Sequence, residues 1–404
     1  MFTAGGRDEP SWRRGGSLSG LLLAAVLGLV AAFGLQRLPA DWHLRVLAPA
    51  WMPQQIVKLL EYANDVQVAF LADRQTAPHP KIALVLIRDE TLAALPYLSP
   101  IDRGLVGRIV KSVDGLGARV IGIDIIFDQA TEARKDEELR AILRSRRAEI
   151  VLGAADARSR LSQRRRDWQK DFLSSVGRPV GFFNVRYDVR EAEQTHVVRN
   201  RAAAASTEVP LSFAEALAAA SGVRDWPAGR RIPWLAPPHG GGETFIAFDA
   251  EAVLAADADP DGPLARMLER QFVGRTVLIG ADLDGQDRHP TPLSLITGAP
   301  MLGVAVHAQI LAGLLDRRTL TDVAPAMLAV LGFVSVFTGV VIGWFGGRRR
   351  WVLSVMVAAA TFAIMAASAL VLWQSRAIVP VAALAAAMIA GAIAARFARR
   401  WLAG

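Results

Sequence analysis

Residues 81–127 read KIALVLIRDETLAALPYLSPIDRGLVGRIVKSVDGLGARVIGIDIIF, and the order of patterns in this stretch decides the fold. The first seven, KIALVLI, form a nearly continuous apolar run rich in branched side chains, which is the pattern of a strand buried on both faces. RDETL supplies a helix start with Asp89 as its expected cap. Leu105, Val106, Ile109, Val110, Val113 and Leu116 then recur at helical spacing, and Gly115 and Gly117 stop that helix. RVIGIDIIF, 119–127, is a second buried strand. Strand, helix and strand in this order make a βαβ unit with a right-handed crossover.

The alternation continues outward from this unit. KDEELRAILRS (135–145) predicts a helix with a charged face, and AEIVLGAAD (148–156) a third strand. RSRLSQRRRDWQK (158–170) is read as a solvated basic surface segment. RPVGFFNVRYDV (178–189) is a further strand, VPLSFAEALAAA (209–220) a helix after Pro210, and ETFIAFDA (243–250) a short strand. GRTVLIG (274–280) is the last buried strand and GVAVHAQILAGLLD (303–316) the last helix. The segment is therefore expected to be α/β, with a mainly parallel sheet and flanking helices. Ahead of it, QQIVKLLEYANDVQVAFL (54–71) carries an apolar helical pattern, with Trp42 and Trp51 as interfacial residues.

Hydrophobic residues make up 52% of the 404, high for a wholly soluble chain. One uncharged run, Leu18 to Leu35, and three near the end, at 323–345, 351–373 and 377–395, each approach the ~20 residues that cross a bilayer. Four spans are expected. The 18 uncharged residues of the first exceed the usual core of a signal peptide, about 7–15, so it is read as a retained anchor. Arg7, Arg13 and Arg14 precede it, GGRRRW separates the second span from the third, and Arg396, Arg399 and Arg400 follow the fourth. The positive-inside rule puts these clusters on the cytoplasmic side. Residues 1–17 and the tail 396–404 are then cytoplasmic, while 36–322 form an extracytoplasmic domain, periplasmic at a bacterial inner membrane, with its core at 81–320.

The net charge of +8 comes wholly from these flanks, because the outer segment holds 36 basic and 36 acidic side chains. Nucleic-acid binding is thereby excluded as the reading of the high pI. Without cysteine the outer domain has no disulfide and no thiolate metal site.

Strands that end in carboxylates carry the candidate chemistry. Asp89, Asp124 and Asp282 fall at the carboxyl ends of three strands, the edge of a parallel sheet where ligands bind. With Arg103, Asp287, Arg288 and His289 they make a candidate ligand site. The structural alternative has Asp89 capping a helix and Asp124 buried against a base such as Arg103. The loop IGADLDGQDRHPTPLS (279–294) is rich in potential oxygen ligands but matches no calcium loop, and no phosphate-binding glycine motif occurs, so no metal and no cofactor is expected. HGGGE (239–243) has no GxSxG nucleophile elbow to accompany it, and the chain is not expected to be an enzyme. His307, on an apolar face with Leu311 and Leu314, is expected in the core of the last helix, placed to couple the domain to the membrane. Gly339, Gly343 and Gly347 give the second span a small-residue face, for packing within the bundle or between subunits of a homo-oligomer.

Read together, IALVLIRDETLAAL, PIDRGLVGRIVKSVDGLGARVIGIDIIF, VPLSFAEALA and, above all, GRTVLIGADLDGQDRHPTPLS followed by GVAVHAQILAGLLDRRTL resemble the extracytoplasmic sensory domain called CHASE, type 2. The resemblance implies a bacterial receptor with one membrane helix before the domain and three after it. Members commonly continue into a cyclase, kinase or phosphatase module, and none fits in RFARRWLAG after the fourth span. The expected role is a sensor subunit that signals through a separate output protein in the membrane. The alternative is a structural or assembly subunit of a larger envelope complex.

Overall fold

The computed structural model of the protein describes residues 54–93, 95–97, 99–187, 197–346 and 350–403. The expected first span and cytoplasmic N-terminus lie outside these residues. The chain divides into two compact units, Ala72–Leu320 and a unit that joins residues before Leu71 to Thr321–Gly404.

In chain order the elements are α1 (Gln54–Leu71), β1 (Ile82–Arg88), α2 (Asp89–Leu92), α3 (Arg103–Gly115), β2 (Val120–Asp124), α4 (Ala133–Ser145), β3 (Glu149–Ala154) and α5 (Gln163–Val176). There follow β4 (Val180–Phe182), α6 (Phe213–Ala220), β5 (Ile246–Asp249), α7 (Ala250–Ala258), α8 (Pro263–Phe272), β6 (Thr276–Asp282), the short pair β7 (Arg288–His289) and β8 (Met301–Leu302), and α9 (Gly303–Leu315). The remaining helices are α10 (Pro325–Phe345), α11 (Arg350–Ser375) and α12 (Val381–Ala403).

The first of the two units is built on a six-stranded sheet in the order β4-β3-β2-β6-β1-β5, parallel throughout. Alternate residues of each strand face opposite layers. Val85, Ile87, Ile121, Ile123, Ile150, Leu152, Val277 and Ile279 join one core cluster with side chains of α3, α4, α5, α7 and α8. The other face packs against α6 and α9. α9 lies so close to the sheet that a Cβ added at Gly280 would stand 2.6 Å from Val304 Cβ. Gln309 fastens the same helix laterally, accepting from Leu235 N at 2.8 Å and donating to Leu235 O at 2.9 Å.

Three features go beyond the sequence reading. β1 and β2 are not neighbours, because β6 pairs with both of them. The apolar run of β6 suits its place inside the sheet, where both of its faces are covered by helices. The basic stretch 158–170 is a solvated surface as read, and from Gln163 it is also the first half of α5, capped by the Ser162 side chain. Its arginines stay exposed while Gln169, Phe172, Leu173 and Val176 turn inward. Helices α7 and α8 have no counterpart in the sequence reading. The alanines of α7 blur its periodicity, and Pro263 at the start of α8 reads as a breaker although it suits the first helical turn.

In the second unit, three helices among the described residues are long and apolar enough to cross a membrane: Pro325–Phe345, Trp351–Ser375 and Val381–Trp401. α12 continues past Arg396, Arg399 and Arg400 to Ala403, and Arg399 Nη1 donates to Trp344 O at 2.5 Å. Residues 377–378 are extended and pair in parallel with Thr321–Asp322. α10 and α12 cross backbone to backbone. Side chains at Gly339 and Gly343 would collide with the carbonyls of Met388 and Ala392, and one at Gly391 would stand 2.7 Å from Val336 O. The small-residue face predicted on the second span is thus used inside the chain; Gly347 lies outside the described residues.

Candidate functional site

The carboxyl edge of the sheet gathers charge because its register aligns the strand ends. Gly280 of β6 stands opposite Asp124, Asp282 opposite Arg88, and Leu86 opposite Asp249. Two polar clusters result. In the outer one Arg88 Nε lies 3.1 Å from Asp249 and 3.6 Å from Asp282, whose other oxygen accepts from Arg288 Nη2 at 2.6 Å. Acid and base alternate along this chain. Asp89 does not cap a helix end with its side chain: α2 begins at Asp89 itself, and its carboxylate accepts from Asp284 N at 2.9 Å, anchoring the loop after β6.

The inner cluster comprises Asp124, Asp287, His289 and His307. Gly285 and Asp287 both take positive φ, 69° and 48°, turning the loop back on itself. Aspartate tolerates that region better than most residues. The turn delivers Asp287 to the start of α9, where its carbonyl accepts from Gly303 N at 2.9 Å. Its carboxylate rests on the Cα of Gly303, leaving no room for a side chain there. His289 Nε2 donates to Asp287 Oδ1 at 2.9 Å. One helical turn beyond Gly303, His307 is 5% exposed and packs edge-on against Phe213 at 5.4 Å. Its Nδ1 has no hydrogen-bond partner among the described residues.

The electrostatics follow from burial. Desolvation pushes Asp124 well above the usual carboxylate range, and the neighbouring Asp287 acts in the same direction. Burial alone would raise Asp287 too. The His289 hydrogen bond and the charges of His289 and His307 outweigh it and hold that carboxyl below its ordinary value. His307 is pushed down to about 4 by burial, against the opposing pull of Asp287. At neutral pH Asp287 is therefore a carboxylate and His307 a neutral imidazole, while burial favours the protonated form of Asp124.

Arg103 is not part of either cluster. Its Nε lies 3.4 Å from Asp136, its other nitrogens donate to Ile101 O and Gln129 O, and its guanidinium stacks 4.7 Å over Phe127. The expected pairing with Asp124 is thereby corrected. Asp136 was missed as the partner because it sits inside the charged run KDEEL, where nothing marks which acid turns inward. Asp249 was missed for a similar reason, since ETFIAFDA has too few residues to reveal which strand it neighbours. Leu311 and Leu314 are buried in α9 as expected, and no group of three or more His, Asp or Glu among the described residues is arranged to hold a metal.

A family model for the CHASE2 domain matches residues 25–345. The chain belongs to the CHASE2 domain family. These are sensory extracytoplasmic domains, and here the CHASE2 domain is accompanied by three membrane-capable helices among the described residues. No curated protein and no solved structure matches the chain. Within the CHASE2 domain the carboxyl edge stands where ligands of open parallel sheets bind, at the point where the strand order reverses about β6.

Proposed function

We propose that this protein is an inner-membrane sensor subunit whose CHASE2 domain binds a small ligand or a periplasmic protein at the carboxyl edge. Asp89, Asp124, Asp282, Asp287, Arg288 and His289 form the binding surface, and His307, Leu311 and Leu314 carry the response. Both termini are cytoplasmic, and a separate membrane protein, reached through the spans or their flanking arginines, supplies the output. The observation that carries this reading is the double attachment of Asp287, which faces the edge site and also holds the first turn of α9. A ligand that moves the 283–289 loop moves that turn, and the chain runs from α9 through Asp316–Ala324 directly into α10. Such a relay requires the ligand to favour one arrangement over the other, and 1–3 kcal/mol is the usual size of coupling.

The test is crosslinking in native membranes with identification of the captured protein, in wild type and in Asp287→Asn. Asparagine keeps the positive φ but loses the charge that holds His289. A sensor is expected to show a partner whose capture changes in the variant. A stoichiometric partner captured equally in both would replace the sensor by a structural subunit of an envelope complex.

A further inference from the structure

The unit Ala72–Leu320 is polarised along one layer of its helices. Residues 158–166, RSRLSQRRR, hold five basic side chains and no acid, whereas residues 251–261, EAVLAADADPD, hold four acids and no base. The first run leads into α5, and the second covers α7 and the turn into α8. These helices share one core cluster, through Phe172 and Val176 of α5, Val253 and Ala256 of α7 and Leu268 of α8. They belong to opposite margins of the sheet, since α5 lies between β3 and β4 in the chain and α7 follows β5. Five strand spacings of ~4.8 Å put those margins about 24 Å apart. Exposed charges are largely screened beyond about 8 Å in physiological salt, so the two runs do not neutralise each other within one chain.

Nor is either run neutralised by its surroundings. Arg158 pairs with Asp156 and Arg165 with Asp128, while Arg166 donates to the Ser159 carbonyl at 3.3 Å, which orients it without cancelling its charge. Among the described residues, Arg160, Arg164 and Arg166 pair with no carboxylate, and Glu251, Asp257, Asp259 and Asp261 pair with no base; all seven are exposed. Their places on the helices add to the imbalance. Arg164 and Arg166 lie in the first turn of α5, at the positive end of its dipole, and Asp257 in the last turn of α7, at the negative end. Each end favours the opposite charge. Both runs therefore weaken their own helices, and a partner of opposite sign would relieve each.

We propose that the two runs are the halves of one interface between copies of this chain, the basic start of α5 in one copy meeting the acidic turn between α7 and α8 of another. Three unpaired bases then face four unpaired acids. Apolar docking offers little alternative, because Val273 and Leu295 are the exposed large hydrophobic side chains among the described residues of 72–320. Exposed charge pairs are weak one by one. Copies held in one membrane by their apolar helices are concentrated against each other, so weak contacts suffice. The contact also reaches the carboxyl edge, whether or not a ligand binds there. Arg165, inside the basic run, holds Asp128 beyond β2, and Gln169 holds both backbone groups of Ala155 beyond β3.

The experiment measures energy transfer between donor- and acceptor-labelled full chains in phosphatidylcholine liposomes at a fixed protein-to-lipid ratio. One variant reverses the basic run (Arg160→Glu, Arg164→Glu, Arg166→Glu) and another the acidic run (Asp257→Lys, Asp259→Lys, Asp261→Lys). Wild type should associate, less so as salt is raised, and each variant alone should associate about tenfold more weakly with three exposed pairs lost. Mixed together, the two variants should associate as wild type does, because the reversed α5 of one meets the reversed turn of the other. The proposal is overturned by wild type at the transfer level of non-interacting chains, by undiminished association in either variant, or by a mixture of folded variants that shows no rescue. Exchange protection of Thr276–Asp282 reports folding; should either variant fail there, Arg164→Gln and Asp259→Asn decide, and both must weaken association. Protection of residues 158–166 that appears only with phosphatidylglycerol, without transfer between copies, would overturn the proposal and assign the arginines to the bilayer.

Discussion

Acid should loosen the CHASE2 domain through His307. Its imidazole is neutral when folded, with its pKa pushed down to about 4, and ordinary, near 6.5, when unfolded. The stabilising difference is therefore fully present above pH 6.5 and is lost as pH falls from there toward 4. Between pH 7.5 and 5 the expected loss is about 2 kcal/mol, or about 4–8 °C in Tm for a domain of this size. Asp287 and Asp316 are held below their ordinary values, so their contributions are lost only at lower pH. Asp124 acts in the opposite sense: raised when folded, it takes up a proton as pH falls and offsets part of the loss. The assay is thermal melting of the full chain at pH 7.5, 6 and 5, in wild type, His307→Gln and His307→Gln with Asp124→Asn. His307→Gln should flatten the fall, whatever its absolute Tm, and the double variant should remove the residual upward trend. An equally steep fall in His307→Gln would refute the assignment of the acid response to this residue.

Further outcomes follow from other contacts. Arg103→Ala breaks a buried pair and should cost about 3–5 kcal/mol; Asp136→Asn should be clearly destabilising in urea unfolding, while Asp124→Asn should be neutral or stabilising at pH 7. Gly339→Leu cannot be accommodated against the Met388 carbonyl, so it should lower the melting temperature of the membrane unit and leave exchange protection of the central strand, Thr276–Asp282, unchanged. Because the chain has no cysteine, single substitutions report orientation cleanly. Ala204→Cys should react with an impermeant maleimide from the periplasmic side, and Gly347→Cys only after permeabilisation; the reverse pattern would overturn the proposed topology.

Much of the sheet was legible because buried parallel strands announce themselves as unbroken apolar runs, and KIALVLI, RVIGIDIIF, AEIVLGAAD and GRTVLIG all do so. Their order across the sheet was not, since four similar apolar runs all lie inside the sheet and nothing in their composition says which pairs with which. The site was legible in the same partial way. Carboxylates at strand ends could be placed on one edge, and the structure brings Asp124, Asp287 and His289 together there with His307. Which acid faces Arg103 depends on the rotation of α4 about its axis, and a helix whose first turn reads ARKDEE leaves that rotation undetermined.

The central place of β6 also has a consequence for biogenesis. While the chain is being exported, β1 with β5 and β2 with β3 and β4 can assemble only as two half-sheets, each with its inner edge uncovered. Residues 276–282 close both edges at once, and they emerge just before α9 and the three C-terminal helices. The domain is thus completed by nearly its last segment, so a chain truncated before Thr276 would present two adhesive edges and would be a substrate for periplasmic quality control. Closure of the sheet and delivery of the 283–289 loop are a single event, which means that no partly made copy can expose a finished carboxyl edge.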